Sequence, residues 1–193
     1  MVLVHGLLLP AASLGLLARR LRAAGWRTRL FAYASTREEA EAAGRRLARE
    51  LEGLGGRVHL VAHSLGGLVA ERALAHLPGP PRGRVLALGT PFRGSQAARR
   101  LLARPWGRRL LGVNGPLLAA GIPCWHGPWP LDVLAGTRPI GWGRLLAGPL
   151  EGPHDGSVRL AETRVPGLAS HTVLRVSHME MLWSGAVARW ALG

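Results

Sequence analysis

A serine stands between two apolar segments in VHLVAHSLGGLVAERAL, residues 58–74, and its surroundings suit a nucleophile. The run before Ser64 is typical of a buried strand and the run after it of a helix, so Ser64 falls in the turn between them. This arrangement, written G-x-S-x-G, holds a serine hydroxyl above a sheet at the start of a helix. Ala62 stands where the pattern has its first glycine. A serine that only caps the helix would explain the same residue without catalysis.

A nucleophilic serine needs a base to take its proton and a carboxylate to orient that base. Among the eight histidines, His178 follows a predicted C-terminal strand and precedes the last predicted helix. In such a loop its ring can reach over the carboxyl edge of a sheet. We therefore predict His178 as the base, with His171, which opens the same strand, as the second choice.

The choice of acid is narrow because the chain contains only two aspartates. Asp132 begins a predicted strand, at the edge away from the serine. Asp155 lies in the Gly- and Pro-rich loop EGPHDGSV, between that strand and the predicted base, and we predict it as the acid. An aspartate before glycine is also typical of an Asx-turn with no catalytic role. Fallback acids nearby are Glu151 and Glu162.

Several segments, in order, resemble the α/β-hydrolase family, and in particular its small bacterial lipases and esterases. They are VLVHGL at 2–7, AHSLGG at 62–67, LGTPFRGS at 88–95, and the later pair HDGSV and VSHMEML. The resemblance covers nearly the whole chain and implies the triad Ser64, Asp155, His178 in the order usual for this fold. It also implies that the backbone N–H groups of Leu7 and Leu65 form an oxyanion hole.

Short apolar runs alternate with arginine-studded amphipathic segments, which predicts one domain, residues 1–193, built on a doubly wound, mostly parallel sheet of about six strands. Residues 91–130 depart from this rhythm, and we predict a lid-like insertion of helices and loops there, beside the ligand-binding edge of the sheet. The predicted strands are 2–4, 28–32, 58–62, 85–89, 131–135 and 171–176. The predicted helices are 11–24, 36–54, 65–77 and 179–192.

The residues expected around the serine are mostly apolar, which favours an apolar acyl group. We expect Leu8, His63, Trp125 and Trp129 to contact the substrate. The predicted reaction is hydrolysis of a carboxylic ester through an acyl-enzyme. An acyltransferase or thioesterase with the same triad, or a binding module whose triad is idle, remains an alternative.

The formal net charge of +14 comes from 25 basic residues, all of them arginine and scattered along the chain. Because they form no patch with interleaved aromatics, we expect no nucleic-acid partner, although contact with an anionic lipid surface remains open. Cys124 is the single cysteine, so no internal disulfide can form, and His126 is the only potential metal ligand next to it in the sequence. We therefore expect no disulfide framework, metal site or cofactor.

One cysteine fits a reducing compartment, and we predict a cytoplasmic protein. The opening apolar run lacks the basic start of a signal peptide. The family usually has two further strands before the His-Gly strand, which here begins at residue 2. We therefore expect either a minimal six-stranded version or a chain without its natural N-terminus, in which case a signal peptide or membrane anchor would also be missing.

Overall fold

Six short strands form the sheet in the computed structural model, which describes residues 1–77, 79–80 and 82–193. Within this part of the chain all strand pairs are parallel, in the order β2-β1-β3-β4-β5-β6. The strands are β1 Val2–Val4, β2 Arg29–Phe31, β3 Leu60–His63, β4 Val85–Leu88, β5 Leu131–Gly136 and β6 Ser170–Leu174. The prediction of a doubly wound parallel sheet of about six strands is confirmed.

Helices cover both faces of this sheet because alternate strand residues point to opposite sides. In β1, Val2 and Val4 belong to one apolar core and Leu3 belongs to the other. The helices are α1 Gly15–Ala23, α2 Ala40–Glu52, α3 Leu65–Ala75, α4 Gln96–Leu102, α5 Pro105–Leu111, α6 Gly115–Ala120, α7 Trp142–Ala147 and α8 Gly185–Leu192. Short 3-10 turns lie at Ala11–Leu14, Gly112–Asn114, Leu160–Thr163 and Glu180–Leu182.

The segment 91–130 contains α4, α5 and α6, and α4 packs against α5, α6 and the later helix α7. All four predicted helices are shorter than expected. Helix α2 begins only at Ala40, α3 ends at Ala75, and the stretches 11–24 and 179–192 each contain a 3-10 turn before the α-helix. Helix α7 was not predicted, because six residues between glycines are too few to show a helical period.

Candidate active site

The turn between β3 and α3 holds Ser64 in a strained conformation, with φ 54° and ψ −122°. Its N–H donates to the Leu88 carbonyl at 2.9 Å, and its carbonyl accepts from the Thr90 hydroxyl at 2.8 Å. Such backbone strain amounts to about 1–3 kcal/mol and persists only where surrounding bonds hold it. The Ser64 side chain forms no capping hydrogen bond, so the helix-capping explanation is wrong.

A close approach of helix and strand supports this turn. A Cβ on Gly66 would lie 2.5 Å from the Val4 carbonyl oxygen, so only glycine lets the first turn of α3 pass β1 at this distance. The glycine after the serine is therefore needed for packing in this fold.

Asp155 and His178 lie together at the carboxyl edge of the sheet, with Oδ2 of the aspartate 2.7 Å from Nδ1 of the histidine. The other carboxylate oxygen accepts the N–H of Ser157 at 2.9 Å and that of Val158 at 2.7 Å. Asp155 thus forms the Asx-turn considered from the sequence and contacts His178 as well. Its charge is almost fully buried, but three donors compensate it.

Gly89 lies directly beneath this pair, one residue after β4. Its φ is +58°, and a Cβ there would come within 3.0 Å of both Asp155 Oδ2 and His178 Nδ1. A side chain at this position would strain the backbone and push the pair apart.

The loop after β1 lies above the serine. A Cβ on Gly6 would be 3.0 Å from the Cβ of Ser64. His5 fixes the loop, since its Nδ1–H donates to the Gly6 carbonyl at 2.9 Å while Nε2 accepts the Tyr33 N–H at 3.4 Å. Burial lowers the pKa of His5, which keeps its ring neutral. The loop therefore has a defined shape directly before Leu7, which lines the cavity that contains Ser64.

Two backbone donors near Ser64 have no partner within the described part of the chain. The Leu7 N–H forms no hydrogen bond there. The Leu65 N–H is the first of α3, and the first amides of a helix have no intrahelical acceptor. Both predicted oxyanion donors are therefore available.

A cavity of about 360 Å³ is lined by five of the predicted residues. Ser64, His63 and His178 line it together with Leu7 and Leu8. The rest of its wall is predominantly apolar and comes largely from the segment 91–130 and α7, namely Leu9, Pro91, Ser95, Ala97, Ala98, Leu101, Leu110, Leu111, Leu118, Trp142, Gly143, Leu146, Ser157, Val158 and Met179.

The structure does not bring Trp125 and Trp129 into this cavity. Both are buried in the core, where the Trp125 indole N–H donates to the Trp129 carbonyl at 2.9 Å and the Trp125 ring meets Phe92 edge to face. Neither residue lines the cavity, so the structure does not support the expectation that they contact the substrate. Both indoles belong to the larger apolar core, where their apolar area is removed from water.

The alternative base and acids have other partners. His171 lies on β6, outside the cavity wall, and its Nε2 is 2.8 Å from the Thr163 hydroxyl. Glu162 accepts the N–H of Gln96 at 2.6 Å and that of Arg159 at 2.9 Å, and burial raises its pKa. This carboxylate therefore ties the start of α4 to the loop before β6.

Sequence reasoning missed the contribution of α7 to the site. Trp142 and Leu146 of this helix line the cavity, and Trp142 with Met179 also lines a wider neighbouring groove of about 920 Å³. The tryptophan in a short Gly-flanked segment was the one available signal. Exposed apolar side chains of the groove include Ile140, 59% exposed, Trp142, 64%, and Leu145, 71%.

The described residues contain neither a cluster of metal ligands nor a helix that could span a membrane. No group of three or more His, Cys, Asp or Glu side chains is arranged to hold a metal ion there, although Cys124 Sγ lies 2.7 Å from His126 Nε2. No helix in the same residues combines the length and apolarity needed to cross a bilayer.

No family model and no curated protein sequence matches the chain. Among solved structures, lipase BlEst2 of Bacillus licheniformis in its mature form is similar with a TM-score of 0.77 at 22% identity, over 99% of this chain and 89% of the lipase. Phospholipase PlaB of Legionella pneumophila in complex with thio-NAD is similar with a TM-score of 0.72 at 17% identity, over 99% and 57% of the two chains. A pyrethroid hydrolase of Sphingobium faniae JZ-2 has a TM-score of 0.58 at 16% identity, over 99% and 94%. At these identities the similarity establishes the fold.

Proposed function

Because the chain has the α/β-hydrolase fold of bacterial lipases and esterases, we propose that it is a serine hydrolase that cleaves carboxylic acid esters. One observation carries the proposal: His178, which is hydrogen-bonded to Asp155, lines the same cavity as Ser64, and Ser64 sits on a strained turn. A residue that only capped a helix would need neither the strain nor the pair.

The proposed acylation step begins at Ser64. His178 donates its Nδ1–H to the Asp155 carboxylate, so Nε2 carries the lone pair that takes the serine proton. The serine oxygen bonds to the ester carbonyl carbon, and the resulting oxyanion accepts the N–H groups of Leu7 and Leu65. When the intermediate collapses, the carbon–oxygen bond to the alcohol breaks, His178 gives its proton to the leaving oxygen, and an acyl-enzyme forms.

Deacylation repeats these roles with water. His178 takes a proton from a water molecule as that water attacks the acyl carbon, and then returns the proton to Ser64 as the carboxylic acid leaves. Asp155 stays ionised throughout and stabilises the imidazolium formed in each step.

The cavity supports an apolar acyl group as substrate. Its volume lies near the lower end of the range of about 300–1,000 Å³ for small-molecule sites, which suits one acyl chain. Leu101, Leu111 and Leu118 supply apolar wall, and all three come from the insertion. We propose that residues 91–130 cover the site and shape its acyl specificity.

We also propose that the groove beside the cavity contacts lipid surfaces. Exposed Ile140, Trp142 and Leu145 lie there beside Arg138 and Arg144, a composition that suits insertion into an anionic interface. Sedimentation with vesicles of anionic and of zwitterionic lipid tests this contact. Binding that prefers the anionic vesicles, weakens with salt and falls in Leu145→Gln supports it, whereas equal binding of the native and variant proteins contradicts it.

Covalent labelling tests the proposed chemistry. A fluorophosphonate should label the native protein at Ser64, and Ser64→Ala should take no label. Ser13→Ala is the matched control, because the Ser13 hydroxyl is buried, lies outside the cavity and has no hydrogen-bond partner among the described residues.

Nitrophenyl esters then define the substrate. Acetate, butyrate, octanoate and palmitate esters in one assay give the chain-length preference, and we expect octanoate or butyrate to exceed palmitate because the cavity is small. A protein that takes no label and cleaves none of these esters would be an idle binding module. Transfer of the acyl group to an added alcohol or cleavage of a thioester in preference to these esters would indicate the acyltransferase or thioesterase alternative.

A further inference from the structure

His63 connects the strand that carries the serine to the loop that carries the base. It is the last residue of β3, directly before Ser64, and its side chain is almost completely buried. Its Nε2 lies 3.0 Å from the backbone carbonyl oxygen of His178. One side chain therefore joins two positions 115 residues apart in the chain.

The chemistry of this contact determines where the His63 proton lies. A carbonyl oxygen only accepts, so Nε2 must donate, and Nδ1 of a neutral ring then holds a lone pair. Nδ1 has no partner among the described residues. Burial, and then the nearby His178, lower the pKa of His63 well below its usual value, so the ring is neutral at neutral pH.

The backbone of His178 is held from two sides. Its N–H donates to the Asp155 carbonyl at 2.8 Å, and its carbonyl accepts from His63. The two imidazole rings also lie against each other, with centroids 4.6 Å apart. Together with the bond from Nδ1 to Asp155, these contacts leave the base little freedom to move relative to Ser64.

We propose that His63 is a positioning residue, whose donated N–H sets the position of His178 relative to the nucleophile. This inference rests on the proposed function. His63 lines the cavity, but its Nε2–H is bonded to the backbone carbonyl of His178. Because the His63 ring is neutral, His178 is the histidine of the two that accepts the serine proton in the proposed reaction.

Two substitutions of equal length separate the hydrogen bond from packing. In His63→Gln the side-chain amide carries a donor at the same distance along the side chain as Nε2, while His63→Met fills similar space without a donor. We expect kcat of the Met variant to fall about 100-fold, since a displacement of about 1 Å in a catalytic group has an effect of this size. KM for nitrophenyl butyrate should stay close to native, and the Gln variant should recover most of the lost kcat.

The outcomes separate this inference from the proposed function. If the native protein takes no fluorophosphonate label, the proposed function fails. If it is labelled and both variants keep native kcat, or both lose the same amount, then the donated N–H does not position the base and the inference is overturned. Circular dichroism confirms that each variant folds, and His63→Leu replaces the Met variant if that protein does not fold.

Discussion

The floor of the cavity and its rim differ in how the protein holds them. At the floor, the Asp155 carboxylate, His178 Nδ1 and His63 Nε2 are buried and bonded to one another or to backbone. At the rim, Leu8 and Trp142 are large apolar side chains that remain more than half exposed. His63, His178, Leu8 and Trp142 line the same cavity, yet only the two histidines have side chains held by directional bonds.

From this difference we expect the floor to govern the reaction and the rim to govern the choice of substrate. Hydrogen bonds fix distances and angles, which a proton transfer requires. Apolar contact has no direction and tolerates exchange of similar side chains. Changes at the floor should therefore reduce kcat, whereas changes at the rim should alter KM and the preference among acyl chains.

The largest effect is expected from Asp155→Asn. The amide cannot hold His178 in the required tautomer, and equivalent changes in serine proteases lower kcat about 10⁴-fold. Asp132→Asn is the matched control, because Asp132 is the other aspartate and is also buried, but it pairs with Arg84 at the far end of the sheet. Steady-state kinetics on a soluble ester should show native kcat in the control. Comparable losses of kcat in the two variants would contradict the assignment of the acid.

A smaller loss is expected from Gly89→Ala, whose Cβ would contact both Asp155 and His178. We expect kcat to fall about 100-fold through displacement of the pair, and the free energy of unfolding to fall by about 1–2 kcal/mol from the left-handed backbone. Gly25 has φ +90° and no atom within 4 Å of a new Cβ, so Gly25→Ala should lower the free energy of unfolding and leave kcat unchanged. Urea unfolding and kinetics on both variants distinguish strain from displacement.

The buried neutral histidine at the floor should make stability depend on pH. Because the folded pKa of His63 lies below 6.5, the unfolded state binds the proton first, so this residue's contribution is complete above about pH 6.5 and is lost as the pH falls. Below that pH the slope is at most about 1.4 kcal/mol per pH unit for one group. Urea unfolding between about pH 5 and 7 should show a shallower dependence in His63→Gln than in the native protein. Parallel curves would mean that His63 takes up its proton equally in both states.

The smallest effect is expected at the rim. Leu8 has φ 59°, a conformation that asparagine tolerates better than leucine, so Leu8→Asn should unfold at an equal or slightly higher urea concentration. KM for the octanoate ester should rise more than KM for the acetate ester, because apolar wall is lost. A large fall in kcat for acetate would show that the rim also positions the reaction.

The fold could be predicted because its signals are local. The inner strands are short apolar runs followed by an amphipathic segment or a glycine turn, as in the stretch from β3 through Ser64 to α3. His178 was predictable for a related reason, since it follows β6 and the carboxyl ends of parallel strands lie at one edge. Asp155 lies beyond α7 and was predicted because it is one of only two aspartates and precedes the histidine in the chain. Its hydrogen bond to His178 depends on how that loop packs against the sheet edge.

The sequence alone thus determined the parallel sheet, the serine turn and the residues that follow each strand. Only the tertiary structure decided which aromatic residues meet the cavity, since Trp125 is in the core and Trp142 at the rim. It also decided that His63 reaches the backbone of His178. Periodicity reports which face of a strand or helix is apolar, but contacts between distant segments depend on how the insertion and loops pack, and no local pattern encodes that packing.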